Sequence, residues 1–200
     1  MINTVIFDVG MILVEFRWKA YLKEFGWNEE INEKVAKATV LSDTWNKFDK
    51  GIMSWEELFK EFLSHDSSVE KEIKLFFEQI GNIVRAYEDT EGWIRSVKES
   101  GCKVYILSNY PELLFEKSQK ELGFLKYVDG AVFSFQEKTV KPEDEIYQRL
   151  LEKYEINPSE AVFLDDVEKN LLAAQKHGIA TIHVSEREEA QKKLKKMLKK

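Results

Sequence analysis

Short apolar runs, separated by stretches of helical periodicity, dominate this sequence. Runs that are apolar throughout are typical of strands buried on both faces of a parallel sheet. Alternating strands and helices predict an α/β core in which helices cover both faces of that sheet. The predicted strands comprise residues 4–7, 103–107, 130–133, 161–164 and, as a fifth, 181–184.

The interval between the first two strands breaks this alternation. About ninety residues separate Phe7 from Lys103, far more than one crossover helix needs. Residues 16–85 are rich in Trp, Phe, Leu, Glu and Lys at helical spacing, and Ser54 with Glu57 fits a helix capping box. We therefore predict a small helical bundle at 16–85, inserted into a core made of residues 1–15 and 86–200.

Composition and charge exclude several other classes of protein. With 44% hydrophobic and 33% charged residues, the chain has enough apolar material for a packed core. The single cysteine, Cys102, excludes a disulfide framework and a multi-cysteine zinc site, and we expect it to be a small core residue. The net charge is −6 although residues 192–200 hold six lysines, so we expect no nucleic-acid partner.

Hydropathy and the start of the chain predict where the protein resides. No apolar run reaches the roughly 18 residues that a membrane span needs. No basic leader precedes the first apolar run, which Asp8 interrupts. We therefore expect a cytoplasmic protein without a membrane partner.

The ends of the predicted strands carry residues that can take part in catalysis. Ligands of an open parallel sheet bind beyond the carboxyl ends of its strands, so these residues are expected to meet at one edge. They are Asp8 after the first strand, Ser108 and Asn109 after the second, Lys141 beyond the third, and Asp165 and Asp166 after the fourth.

Three carboxylates at one edge would repel one another unless a cation compensates. Mg²⁺ suits such a site because it binds carboxylates, water and phosphate oxygens, and the Gly10 carbonyl could add another oxygen. A carboxylate such as Asp8 can attack a phosphoryl group, and Lys141 could neutralise charge beside it. Considered singly, Lys141 is more typical of a surface lysine, and Asp165-Asp166 fits a helix N-cap equally well.

Four motifs occur in order between residues 5 and 170. They are Phe7-Asp8-Val9-Gly10, Leu107-Ser108-Asn109, Val140-Lys141-Pro142, and Phe163-Leu164-Asp165-Asp166 followed by Asn170. With these motifs the chain resembles the haloacid dehalogenase superfamily of phosphotransferases. Four motifs in the right order are far more specific than any one of them.

This resemblance implies a fold, a reaction and a set of residue roles. The fold is a Rossmann-like α/β core of three layers whose inserted helices form a cap, and the reaction is phosphoester hydrolysis with Mg²⁺. By resemblance, Asp8 is the nucleophile and a metal ligand, and Lys141 orients the nucleophile and the phosphate. The other implied roles are phosphate binding by Ser108 and Asn109, metal binding by the Gly10 carbonyl, Asp165 and Asp166, and support of the metal site by Asn170.

The sequence departs from the superfamily pattern at Gly10. Most phosphatases of the superfamily carry there a second aspartate, which protonates the leaving group and then activates water. Gly10 offers only its backbone, which leaves three outcomes open. The substrate has a good leaving group, such as an anomeric sugar phosphate, a cap residue or a water molecule replaces that aspartate, or the protein is a slow catalyst. A glycine at this position resembles the sugar-1-phosphate phosphatase branch. We predict a phosphatase of a small phosphorylated metabolite, such as a sugar phosphate, that is a monomer or homodimer.

Two other functions stay open at this point. A hydrolytic 2-haloacid dehalogenase also lacks the second aspartate, but the resemblance then implies uncharged residues in place of Asp165 and Asp166. A catalytically weak binding protein of the same fold is supported by Gly10 alone. Candidates for substrate contact in the inserted segment are Arg17, Trp18, Trp45, Asn46 and Lys47.

Overall fold

The computed structural model describes residues 1–198. Strands and helices alternate through most of it, with five helices inserted between the second and third strands. In chain order the elements are β1 (Thr4–Phe7), β2 (Val14–Phe16), α1 (Trp18–Glu24), α2 (Glu29–Ala38), α3 (Asp43–Lys50), α4 (Trp55–His65), α5 (Glu70–Glu78), β3 (Val84–Ala86), α6 (Thr90–Glu99), β4 (Lys103–Ser108), α7 (Glu112–Lys117), β5 (Gly130–Phe133), α8 (Ser134–Glu137), α9 (Asp144–Lys153), β6 (Ala161–Asp165), α10 (Glu168–Lys176), β7 (Ala180–His183) and α11 (Arg187–Leu198).

Within residues 1–198 the main sheet has five parallel strands in the order β5-β4-β1-β6-β7. Its central strand is β1, in which Ile6 is paired with Tyr105 on one side and Phe163 on the other. The predicted α/β class is confirmed. Strands β4 and β6 extend one residue further than predicted, to Ser108 and Asp165, so these side chains belong to the strands themselves.

Successive residues of the strands enter two separate apolar cores. Val5 and Phe7 pack in one cluster, whereas Ile6 packs in the other. This division follows from the alternation of side chains along a strand, and it explains why these strands are apolar at every position. The sheet is therefore the middle of three layers, and its end residues are the ones left free for polar chemistry.

The inserted helices α1–α5 lie between two short strands that pair with each other. Strands β2 and β3 are antiparallel, with Val14 opposite Ala86. The predicted capping box begins α4: the Glu57 amide donates to Ser54 Oγ over 3.3 Å, and the Ser54 amide donates to Glu57 Oε2 over 3.0 Å. The β2–β3 pair was not predicted. The division into core and cap at 15/16 and 85/86, which falls within this pair, stays a prediction.

The remaining sequence features occupy ordinary structural positions. Cys102 is buried, as expected for a small core residue. The lysine-rich end of the chain forms the last turns of α11, while Lys199 and Lys200 lie outside the described residues. Among the helices of residues 1–198, none combines the length and the apolar character needed to cross a membrane.

Candidate active site

The carboxyl ends of β1 and β6 bring three carboxylates together. Asp8 directly follows β1, Asp165 ends β6, and Asp166 follows it. One carboxylate oxygen from each of the three lies within 4.8 Å of the others. Charges this close repel strongly in a partly buried site, so the cluster needs cationic compensation.

Lys141 provides part of that compensation. Its Nζ lies 2.9 Å from Asp8 Oδ1 and 2.7 Å from Asp165 Oδ2, and the residue is only 2% exposed. Although burial alone would lower it, the Asp165 and Asp8 carboxylates raise the pKa of Lys141 above its ordinary value. The ammonium is therefore charged, and it holds both carboxylates in place.

Asn109 fixes the backbone of Lys141. Its Nδ2 donates to the Lys141 carbonyl over 3.0 Å, and its Oδ1 accepts from the Lys141 amide over 2.8 Å. The side-chain amide of this predicted phosphate-binding residue is thus engaged by the chain itself. The neighbouring Ser108 hydroxyl differs, because it is buried without a hydrogen-bond partner among the described residues. An unpaired buried hydroxyl is costly, which favours a ligand that supplies the missing partner.

Asp165 and Asp166 differ in how much of their acceptor capacity is free. The Asp165 carboxylate accepts from Lys141 Nζ, from the Val167 amide over 2.7 Å, and from Asn170 Nδ2, which lies 3.1 Å from both oxygens. Asn170, predicted to support the metal site, therefore positions Asp165. Asp166 is only partly buried, and burial together with the charge of Asp165 raises its pKa.

Burial is the dominant influence on Asp8. It raises the pKa of the carboxyl to about 6, with a smaller upward contribution from Asp165, while Lys141 opposes both. The Val9 amide also donates to Asp8 Oδ1 over 2.7 Å. At neutral pH Asp8 is therefore mostly ionised, as a nucleophilic carboxylate must be.

A cavity of about 210 Å³ opens onto these carboxylates. The core contributes polar groups to its wall, and the inserted segment with the β2–β3 pair contributes mostly apolar ones. A larger cavity of about 470 Å³ lies between α6 and α11, but it shares no lining residue with the acidic cluster. The lining residues of the smaller cavity are Asp8, Gly10, Met11, Val14, Phe16, Trp45, Asp49, Val84, Asn109, Tyr110, Pro111, Leu114 and Asp166.

Of the five substrate-contact candidates in the inserted segment, Trp45 lines this cavity. Arg17 instead pairs with Glu24, and Lys47 lies 2.6 Å from Glu61 on the surface. Trp18 lines a separate groove on the inserted helices, and Asn46 is exposed.

Asp49 is a cavity residue that the sequence analysis missed. It lies in the last turn of α3 and lines the same cavity as Asp8. Burial, reinforced by the negative charge of Asp8, raises its pKa to about 8, while Lys141 acts in the opposite direction. Its signal in the sequence is an acid four residues after Trp45 and next to Phe48, on an otherwise aromatic helix face.

The chain matches the model of a known protein family. A family model described as haloacid dehalogenase-like hydrolase matches residues 2–178. That range contains every residue of the site described above, and the chain belongs to this family.

Individual relatives cover nearly the whole chain. Sesquiterpene phosphatase astK from Aspergillus oryzae is 25% identical over 181 residues, which are 90% of this chain and 89% of that protein. (S)-2-haloacid dehalogenase 4A from Burkholderia cepacia is 21% identical over 168 residues, 84% of this chain and 68% of that protein. The structure of HAD family enzyme bt-2542 from Bacteroides thetaiotaomicron, in complex with magnesium and inorganic phosphate, superposes with a TM-score of 0.71 at 23% identity, covering 92% of this chain and 94% of that one.

Proposed function

We propose that this protein is a Mg²⁺-dependent phosphatase that hydrolyses a small phosphorylated metabolite through a phosphorylated Asp8. The observation that carries this proposal is the approach of Asp8, Asp165 and Asp166 to within 4.8 Å of one another, with Lys141 bound to two of them. Such an arrangement supplies a nucleophile and charge stabilisation, which are the main requirements of phosphoryl transfer. Phosphatases among the relatives and a magnesium–phosphate complex of a similar fold also support it.

The charges and donor atoms of the site suit a hard divalent cation. Three carboxylates and one ammonium leave two negative charges, which a divalent ion would balance. Asp8, Asp166 and the Gly10 carbonyl would hold the ion, and Asp165 would act directly or through water because its oxygens already accept several hydrogen bonds. When bound, Mg²⁺ would withdraw charge from the phosphoryl oxygens.

The chain's own residues account for the first bond-making step. The Asp8 carboxylate attacks phosphorus, and an aspartyl phosphate forms as the bond to the leaving oxygen breaks. Lys141 and the unpartnered Ser108 hydroxyl offset charge on the phosphoryl oxygens. Asn109 holds Lys141 in position, and water then releases phosphate from Asp8.

The cavity beside the carboxylates offers limited space to the organic part of the substrate. Its volume is about 210 Å³, and Met11 and Asp166 also line a neighbouring cavity of about 740 Å³. A small metabolite would fill the first of these cavities. A sugar phosphate is our finer proposal, because the wall contributed by α3 combines the Trp45 ring with the Asp49 carboxyl group. An aromatic face and a polar carboxyl group are suited to the apolar and hydroxyl groups of a sugar.

The proposal is tested with a panel of sugar 1-phosphates, sugar 6-phosphates and prenyl monophosphates, each with Mg²⁺ and with chelator. We expect metal-dependent release of phosphate by the wild type and none by Asp8→Asn. Beryllofluoride, a mimic of a carboxylate-bound phosphoryl group, should be retained by the wild type and not by the variant. Unchanged turnover in Asp8→Asn would remove Asp8 as the nucleophile.

The same experiment separates the two alternative functions. Halide release from a 2-haloacid in the presence of chelator would identify a dehalogenase instead. A folded protein that shows neither turnover nor a beryllofluoride adduct with Mg²⁺ would be a binding protein of this fold. Preference for prenyl over sugar phosphates would overturn only the finer proposal.

A further inference from the structure

Breaking the phosphoester bond places negative charge on the leaving oxygen, and an alcohol leaves readily only when a proton reaches it. General acid catalysis of this kind typically contributes about 10²–10⁴ in rate. Gly10 has no side chain to donate a proton, and Lys141 is held between two carboxylates. Asp165 is occupied by its hydrogen bonds. Gly10, Lys141 and Asp165 therefore provide no free proton donor for the leaving oxygen.

The inserted helices supply a carboxyl group that no step described so far uses. Asp49 lines the cavity together with Asp8, Gly10 and Asp166, but it comes from α3 and not from the sheet. Within residues 1–198, the Asp49 carboxylate has no hydrogen-bond partner, and the contact from Ser134 goes to the backbone carbonyl of Asp49. Its carboxyl group is therefore available to a substrate that fills the cavity.

The backbone around Asp49 is attached to the core at three consecutive residues. Ser134 Oγ donates to the Asp49 carbonyl over 2.5 Å, and Lys50 Nζ lies 2.7 Å from Glu143 Oε1. Lys138 Nζ donates to the Gly51 carbonyl over 2.6 Å. These contacts hold the end of α3 beside the cavity, so the backbone of Asp49 has a fixed position in the cavity wall.

We propose that Asp49 is the general acid and base of the reaction, an assignment that rests on the proposed phosphatase function. As Asp8 attacks phosphorus, the Asp49 carboxyl gives its proton to the leaving oxygen, and a neutral alcohol departs. Water then attacks the phosphorus of the aspartyl phosphate and gives a proton to the Asp49 carboxylate. The bond between phosphorus and Asp8 breaks, which restores the free Asp8 carboxylate and the protonated Asp49.

The protonation state of Asp49 agrees with this assignment. Burial and the charge of Asp8 raise its pKa to about 8, against the opposing influence of Lys141, so at neutral pH most molecules carry a protonated Asp49. A protonated carboxyl group beside the cavity is the form that can donate a proton to the leaving oxygen.

The test compares Asp49→Asn on two substrates that differ in their need for a proton. With an alkyl phosphate, whose alkoxide is a poor leaving group, kcat should fall by a factor of about 10²–10⁴. With 4-nitrophenyl phosphate, whose leaving group is stable without a proton, the rate of the first step should fall far less. Because the second step still needs a base, this substrate should give a burst of nitrophenolate and accumulate phosphorylated Asp8, detected as an added mass.

Matched variants make the result specific. Asp43→Asn, at the exposed start of the same helix, should leave both activities unchanged. Asp49→Ser provides a second variant, and thermal unfolding confirms that each protein is folded. Equal losses in the rate of the first step on both substrates, measured in a single turnover, would overturn the role of Asp49. No loss on either substrate would overturn it too. Turnover that survives in Asp8→Asn would instead overturn the phosphatase mechanism itself, so the two failures are distinguishable.

Discussion

Replacing Asp8 by Asn should abolish turnover and also stabilise the folded protein. The asparagine oxygen can still accept from the Val9 amide and from Lys141, so the change removes little besides the charge. In the wild type, burial and the repulsion from Asp165 together outweigh the attraction of Lys141, which raises the pKa of Asp8 from 3.8 to about 6. The charged form of Asp8 is therefore less stable in the folded protein than in the unfolded chain.

The size of the effect follows from this pKa. A rise from 3.8 to about 6 corresponds to about 3 kcal/mol at 1.36 kcal/mol for each pH unit. Because the folded state binds this proton more tightly, the wild type loses stability as pH rises through the interval between these two values, and the variant does not. The free energy of unfolding of Asp8→Asn should exceed that of the wild type by about 3 kcal/mol at pH 8 and by less than about 1 kcal/mol near pH 4. For a chain of this length, 3 kcal/mol raises Tm by roughly 6–12 °C.

Thermal and urea unfolding at pH 4, 6 and 8, with chelator present, measure this difference. Glu152→Gln, an exposed acid on α9, is the control and should show no such pH dependence. If Asp8→Asn is less stable than the wild type at pH 8, Lys141 stabilises the charged Asp8 carboxylate by more than burial destabilises it, which contradicts the raised pKa of Asp8. A gain that is the same at all three pH values would show that the charge of Asp8 is not its source.

Three further changes test other parts of the site. Lys141→Met leaves two buried carboxylates uncompensated and should cost about 3–5 kcal/mol in urea unfolding at pH 8; a change below 1 kcal/mol would contradict the ion pairs. Mg²⁺ should raise the Tm of the wild type but not of Asp166→Asn, and equal shifts would remove Asp166 from the metal site. A Cβ at Gly10 meets no heavy atom within 4 Å, so Gly10→Asp should fold and should restore part of the alkyl phosphatase activity lost in Asp49→Asn. A double variant as inactive as the single one would show that an acid at Gly10 cannot replace Asp49.

The sheet and its edge could be predicted because burial on both faces leaves a simple pattern in the sequence. A continuously apolar run ends where the strand meets the site, so Asp8 and Asp165 could be located from the runs alone. The three-residue strands β2 and β3 carry no comparable pattern, since each is too short for alternation to show. Their pairing depends on where the inserted helices return to the core, which is a property of the tertiary structure.

Asp49 illustrates a different limit of sequence reasoning. Its neighbours Trp45 and Phe48 indicate an apolar helix face, and an acid beside them is compatible with an ordinary helix boundary. Only the packing of α3 against the core brings this acid to the cavity that holds Asp8. The two hydrogen bonds between the Asn109 side chain and the backbone of Lys141, 32 positions away, were likewise not visible in the sequence. Phosphate binding by Asn109 stays a prediction.

One stretch of the core, residues 134–143, connects the two carboxyl groups on which the proposed reaction depends. Ser134 contacts the backbone of Asp49, and Glu143 pairs with the lysine that follows it. Between them lies Lys141, which is bound to the nucleophile. The same ten residues therefore contact both the end of the inserted helix α3 and the nucleophile. In the proposed reaction, this connection is how a residue outside the sheet would supply the carboxyl group that Gly10 lacks.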